Sequence, residues 1–169
     1  MALRLNFRLE FKGFPGALGK TRMNELLKAA FLRVGEYWHE RFREKHFTVE
    51  GGREYGYGPR SGEKLHRGSK RWKRSYAGRK YSMSGGNPRP LVWTGESEQQ
   101  ARQKIVTATK HSCTVRIKAK KLNYRPQMRD EMTRVSPREQ KALLRVFRDN
   151  LEAGLKGERT RGMRVTIIK

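Results

Sequence analysis

A long stretch from Val49 to Pro90 separates two parts of the sequence in which apolar residues recur at regular intervals. The stretch itself is rich in Gly, Arg, Lys, Ser and Tyr, and its apolar residues follow neither helical nor strand spacing. Regular elements with an apolar face build a core, so the core must come from the flanking parts. We predict one domain spanning residues 1–169, in which residues 49–90 are an inserted basic arm or loop without firm secondary structure.

Before this segment, the sequence predicts a strand and a long helix. Residues 3–11 alternate between apolar and polar side chains, which is the pattern of a half-buried strand. Apolar residues at spacings of three and four then predict an amphipathic helix from Met23 to Phe42. Thr21 is the predicted N-cap of that helix, because its hydroxyl can accept a hydrogen bond from a backbone N–H of the first turn.

After the segment, residues 104–110 and 112–119 suit two strands joined by a tight turn, and residues 122–132 show no regular pattern. The sequence 136–139, Ser-Pro-Arg-Glu, is a capping box that opens a second main helix. Residues 163–168 alternate and predict a last strand, and its pairing with the first strand stays open. The fold class is therefore α+β, with a small mixed or antiparallel sheet, two main helices and the basic arm between the first helix and the central hairpin.

The charge of the chain favours an anionic partner. Its 169 residues carry 40 Lys and Arg against 16 Asp and Glu, a formal net charge of +24. Nine of these cations lie close together with Glu63 as the one acid among them, and they are Arg60, Lys64, Arg67, Lys70, Arg71, Lys73, Arg74, Arg79 and Lys80. Phosphate is the natural counter-charge for such a run, so these nine residues are the candidate nucleic-acid contacts. Contact with double-stranded DNA would be non-specific, through the phosphate backbone.

Large aromatic residues interrupt the same segment, at Tyr55, Tyr57, Trp72, Tyr76 and Tyr81. Two interpretations stay open. Trp72, Tyr76 and Tyr81 can stack on the bases of a single-stranded partner. Alternatively, the aromatic residues are anchors at the interface with a neighbouring subunit, where large aromatic side chains are favoured.

The residues that support catalysis or metal binding are sparse, so we predict no enzymatic activity, no metal site and no cofactor. The four histidines and Cys113 offer no ligand set at zinc-finger spacing, and the few carboxylates are not clustered as a nuclease requires. Cys113 lies in an alternating apolar pattern and is predicted to be a small buried hydrophobic residue. No apolar run approaches the roughly 18–20 residues of a membrane span, and no membrane association is predicted.

Several short motifs, in order, resemble the virion-morphogenesis and tail-completion proteins of tailed bacteriophages. The similarity covers residues 20–155 and rests on five features: the early amphipathic helix, PLVWTGESEQQ (90–100) as a strand or turn leading into a short helix, the hairpin 104–119, LNYRPQM (122–128), and VSPRE (135–139) opening the closing helix. The sequence departs from the family pattern at Ser97 and Gln127, where an apolar and an aromatic residue are usual.

This resemblance implies a structural role in the phage neck, at the head–tail junction. The chain would form part of a homo-oligomeric ring around the DNA exit channel, in contact with other neck, portal-side and tail proteins, and would be assembled in the host cytoplasm. The alternative is a nucleic-acid-binding protein of another class, either RNA-binding or ribosome-associated.

Overall fold

The computed structural model describes residues 2–6, 8–12, 19–92, 94–119, 126–156 and 164–168. The strands are β1 (Ala2–Asn6), β2 (Arg8–Lys12), β3 (Lys104–Ala108), β4 (Ser112–Ile117) and β5 (Arg164–Ile168). The helices are α1 (Lys20–Arg41), α2 (Val49–Glu54), α3 (Lys70–Arg74), α4 (Tyr76–Met83), α5 (Glu96–Ala101), α6 (Pro126–Met132) and α7 (Pro137–Lys156), with a 3₁₀ turn at Arg43–Phe47. The fold is α+β, as predicted.

The described residues group into two compact units. The sheet unit consists of the described residues within Ala2–Phe42, Lys104–Ile117 and Val135–Lys169, and it contains α1, α7 and the five strands given above. The basic unit consists of those within Arg43–Gln103 and Lys118–Arg134, and it contains the 3₁₀ turn and helices α2 to α6. The segment 49–90, the predicted arm, therefore belongs to the basic unit.

All the strand pairings described in the sheet unit are antiparallel. The predicted hairpin is confirmed, with β3 beside β4 and Val106 opposite Val115. The strand predicted over residues 3–11 is present as two strands, because β1 pairs with β4 whereas β2 pairs with β5. The pairing of the first and last segments, which the sequence left open, is that of β2 with β5, with Phe11 opposite Val165.

Helix α1 is the centre of the sheet unit, where it packs against α7, β3 and β4. Its contact with α7 includes Phe31 and Phe147, whose ring centroids lie 4.8 Å apart. Gly35 permits close packing of α1 on the strands, because a Cβ at that position would lie 2.7 Å from the side chain of Val106. The predicted N-cap at Thr21 is wrong: α1 begins at Lys20, and Gly19 caps it without a side-chain hydrogen bond.

The capping box at the start of α7 is confirmed. The Ser136 backbone N–H donates to the Glu139 carboxylate at 3.0 Å, and the Glu139 backbone N–H donates to Ser136 Oγ at 3.3 Å. Both side chains are buried, so each satisfies a backbone donor that the first helical turn cannot satisfy. Cys113 on β4 is fully buried as predicted, and burial raises the pKa of its thiol to about 11.

Two predictions of irregular structure in the basic unit are wrong. Residues 49–90 contain three short helices, α2, α3 and α4, and residues 126–132 of the segment predicted to be irregular form α6. The helical turn predicted after Thr94 is confirmed as α5. Residue 93 and residues 120–125, which carry parts of two of the family-like motifs, lie outside the described residues. None of the helices in the described ranges is both long and apolar enough to cross a membrane.

Candidate nucleic-acid interface

The predicted cations of the basic unit lie mostly on α3, α4 and the loop before them, and serine side chains fix these two short helices. Ser69 caps α3 by accepting a hydrogen bond from the Trp72 backbone N–H at 3.1 Å. Ser75 ends α3 and caps α4, because its Oγ donates to the Trp72 carbonyl at 2.6 Å and accepts from the Gly78 N–H at 3.1 Å. The two helices therefore meet at a defined corner.

The loop 59–65 lies against this corner. The Ala77 backbone N–H donates to the Ser61 carbonyl at 3.0 Å, which ties the loop to the start of α4. Gly62 has a φ of +90°, and a Cβ there would lie 2.0 Å from Ser75 Oγ. Only glycine fits both the conformation and the contact, so the approach of the loop depends on this residue.

Between the loop and α3 lies an open groove with a volume of about 770 Å³. Four exposed cations line it, Lys64, Lys70, Arg71 and Arg74, together with part of Arg60. We call it the basic groove. Its lining residues all belong to the described part of the chain and include no carboxylate. The groove therefore presents several positive charges to one bound anion, and its wall carries no negative side chain that would neutralise them.

The nine predicted contact residues divide into two groups by exposure. Seven are exposed, namely Lys64, Arg67, Lys70, Arg71, Lys73, Arg74 and Arg79. The other two, Arg60 and Lys80, have little access to solvent, since the side chain of Arg60 is 12% exposed and Lys80 is 7% exposed. The seven exposed cations can contact an extended polyanion, whereas Arg60 and Lys80 contact other residues of the basic unit.

Arg60 forms a salt bridge with the buried carboxylate of Glu131 on α6. One guanidinium nitrogen donates to Glu131 Oε1 at 3.0 Å and the other to Oε2, while the Gly58 backbone N–H donates to Oε1 at 3.1 Å. Arg60 therefore fastens the loop to α6. Sequence reasoning missed Glu131, because it lies far away in the chain within a segment that showed no periodicity.

The predicted aromatic anchors take part in packing inside the basic unit. Tyr55 is buried and stacks on His46, with ring centroids 4.0 Å apart, and His46 Nδ1 lies 2.5 Å from the Tyr57 hydroxyl. Trp72 is buried and meets Tyr81 edge-on at 5.6 Å. Burial lowers the pKa of His46 to about 3, although a hydrogen bond with the Glu131 backbone acts in the opposite direction. His46 is therefore neutral at physiological pH.

A second cavity, of about 440 Å³, lies beside the aromatic residues. Its lining includes Tyr57, Trp72, Tyr76 and Tyr81, with Lys80 among them. We call it the Lys80 pocket. The ammonium of Lys80 lies 5.7 Å from the centre of the Tyr76 ring. Burial, followed by the positive charge of Arg60, lowers the pKa of Lys80 to about 8, and the carboxylate of Glu63 offsets part of this effect.

Within the described ranges, no three His, Cys, Asp or Glu side chains are grouped so that they could hold a metal ion. The polar side chains that line the basic groove and the Lys80 pocket are mainly cations and hydroxyls, and the pocket also has aromatic rings and the Glu63 carboxylate. Such groups bind anions and stack on flat ligands.

Comparison of the chain with protein-family models, with curated proteins and with solved structures finds no match.

Proposed function

We propose that this chain is a structural protein of the tailed-phage neck, and that it forms part of a ring around the DNA exit channel with its basic groove towards the DNA. The observation that carries this proposal is the groove itself, where four exposed cations converge without a carboxylate on its wall. The order of elements supports it, because α1, α5, the β3–β4 hairpin and α7 follow one another as in the phage proteins that the sequence resembles.

The geometry favours contact with phosphates over base recognition by aromatic stacking on the groove side. The groove carries Lys and Arg side chains that reach solvent, whereas Trp72 is buried and engaged with Tyr81. Phosphate contacts position a nucleic acid without reading its sequence. Contact of this kind suits a channel through which any DNA sequence must pass. The remaining partners in this proposal are further copies of the chain and the portal-side and tail proteins next to it.

The groove also suits the second candidate, an RNA-binding or ribosome-associated protein, because RNA helices present phosphates as well. Competition between duplex DNA and duplex RNA of equal length separates the two. Equal or stronger binding of DNA favours the neck protein, and a strong preference for RNA favours the alternative. A reconstruction of the assembled phage particle in which this chain is absent from the neck would contradict the leading proposal.

The test of the groove is the salt dependence of binding to duplex DNA. The logarithm of affinity falls with the logarithm of salt concentration by about 0.9 for each phosphate contact. We expect the combined change Lys70→Gln, Arg71→Gln and Arg74→Gln to weaken binding and to make this slope shallower by roughly 2.7. Fluorescence anisotropy with a labelled duplex, at salt concentrations between low and physiological, measures both quantities.

The matched control removes three exposed cations from α7, by Arg138→Gln, Lys141→Gln and Arg148→Gln. This variant has the same net charge as the groove variant. It should keep the slope of the unaltered chain, because its cations lie in the sheet unit. If both variants changed the slope equally, DNA binding would depend on net charge alone, and the basic groove would not be the binding site.

A further inference from the structure

The Lys80 pocket has features that the contact between the basic groove and duplex DNA does not use. Its volume of about 440 Å³ falls in the usual range for small-ligand pockets, roughly 300–1,000 Å³. The half-buried rings of Tyr57, Tyr76 and Tyr81 line it, so part of its wall is aromatic. Pro88 and Pro90 close part of the remaining wall. A pocket of this composition suits a ligand with a planar aromatic part.

The pocket also favours negative charge. Lys80 lines it although only 7% of this residue is exposed, and no salt bridge described in the structure includes its ammonium. Arg53 and Arg67 line the pocket as well, and the Arg67 guanidinium lies 5.3 Å from the centre of the Tyr81 ring. Glu63 is the one carboxylate among the lining residues, all of which are described. A largely buried ammonium is stabilised by an anion that enters beside it.

We propose that the Lys80 pocket binds a single nucleotide unit, with its phosphate group on the Lys80 ammonium and its base against the tyrosine rings. An aromatic wall and recessed cations match the two chemically different halves of a nucleotide. A nucleoside lacks the anion, and inorganic phosphate lacks the flat surface. The pocket should therefore bind the whole nucleotide better than it binds either part.

This inference does not rest on the neck proposal, since the groove contacts the outside of a duplex whereas the pocket takes one unpaired unit. Two sources can supply that unit, a free mononucleotide or the unpaired end of a DNA strand. Titration calorimetry with deoxyadenosine monophosphate tests the first source. A 5′-phosphorylated duplex with a short 5′ overhang, compared with a blunt phosphorylated duplex, tests the second.

The decisive variant is Lys80→Met, which keeps a similar shape and removes the charge. We expect the affinity for deoxyadenosine monophosphate to fall about tenfold or more, as for the loss of a charged hydrogen bond. Deoxyadenosine should bind both proteins equally weakly. The control Lys141→Met removes an exposed lysine from α7 and should leave nucleotide affinity unchanged. Thermal unfolding verifies that Lys80→Met folds, and its melting temperature should not fall, because it removes a buried charge.

The dependence on pH gives a second, independent readout. Nucleotide affinity should fall as the pH rises through about 8, where Lys80 loses its proton. The charged groups that act on Lys80 are Arg60, Glu63, Arg89 and Glu131, and Arg53, Arg67 and the tyrosines also line the pocket. Comparison with Lys80→Arg isolates the contribution of the lysine. The arginine keeps its charge, so this variant should bind nucleotide without the decline near pH 8.

Several results would overturn the inference: no nucleotide binding by the unaltered chain, equal binding of nucleotide and nucleoside, or unchanged affinity in Lys80→Met. Binding of a glutamate-rich peptide in place of the nucleotide would also overturn it, because the pocket would then serve an acidic protein partner. Failure of the nucleotide-binding proposal is distinguishable from failure of the neck proposal. The groove variant should still bind the mononucleotide, and Lys80→Met should keep the salt dependence of duplex binding.

Discussion

At the scale of single residues, Glu131 shows how a basic chain uses one of its few acids. Its carboxylate is buried and accepts hydrogen bonds from Arg60 and from the Gly58 backbone. A buried charge without such partners costs several kcal/mol, on the order of 3–5 when one partner of a buried pair is removed. The ion pair therefore ties the loop 59–65 to α6, in the position in which the loop lines the basic groove.

His46 makes the basic unit sensitive to acid. Its pKa in the folded chain is about 3, against an ordinary value of 6.5, so the unfolded chain binds the extra proton throughout this interval. The free energy of unfolding therefore falls as the pH drops from 6.5 towards 3. Relative to a His46→Gln variant, which cannot take up this proton, we expect the unaltered chain to lose about 2 kcal/mol of stability between pH 7 and pH 5.

Urea unfolding of both proteins at several pH values measures this difference. The histidine ring contributes stacking on Tyr55 at every pH, so the variant should be less stable at pH 7. Only the part of the difference in unfolding free energy that changes with pH measures the lowered pKa of His46. A constant difference from pH 7 to pH 5 would show that His46 does not resist protonation in the fold.

At the scale of elements, the start of α7 offers a simple test of capping. Ser136→Ala removes the side-chain oxygen that accepts the Glu139 N–H, and it should lower the free energy of unfolding by about 1 kcal/mol. Thermal or urea unfolding detects a change of this size. Thr21→Ala is the matched control, because Thr21 is exposed in the first turn of α1 and does not cap it. Equal effects of the two changes would argue against a specific cap at Ser136.

The elements that could be predicted from sequence are those with a long periodic pattern or a paired cap. Helices α1 and α7 extend over several turns with one buried face, and the β3–β4 hairpin alternates over both strands. The split of the first strand was not predictable, because alternation reports which face is buried and not where the pairing partner changes. The sequence around Thr21 likewise contained no signal that Gly19, which has no side chain, would be the N-cap of α1.

The short helices of the basic unit were missed for a different physical reason. Helices α2, α3 and α4 have 6, 5 and 8 residues, too few for a spacing of three and four to repeat. Their ends are set by single side chains, with Thr48, Ser69 and Ser75 each accepting a hydrogen bond from a backbone N–H three residues later. Those hydroxyl residues were the signal available in the sequence. The exposed cations of the candidate site were predictable from charge, whereas the ion pair of Arg60 with Glu131 and the burial of Lys80 depend on the fold.

At the scale of the whole molecule, the two ends of the segment between Gly52 and Pro90 lie next to each other. A Cβ at Gly52 would lie 2.7 Å from Pro90 Cγ, so a linker of two glycines can replace residues 53–89. We expect this deletion, combined with Glu131→Gln to avoid an unpaired buried charge, to keep the cooperative unfolding of the sheet unit. Its helices and strands all lie outside the deleted residues.

Circular dichroism during thermal unfolding checks this expectation. The spectrum should retain the signals of α1, α7 and the strands, and DNA binding should be lost with the basic groove. The full-length chain carrying Glu131→Gln alone is the reference. A gradual, non-cooperative loss of signal in the deletion variant would show that the sheet unit depends on the removed residues.

The burial of Cys113 makes the chain well suited to thiol-directed labelling. It is the one cysteine in the sequence, it has no exposed surface, and its raised pKa keeps it in the unreactive protonated form. A cysteine introduced at Arg71 would therefore be the one accessible thiol, in the wall of the basic groove. A photo-crosslinker or spin label attached there can report contacts with DNA or with a neighbouring subunit, without first removing a native reactive cysteine.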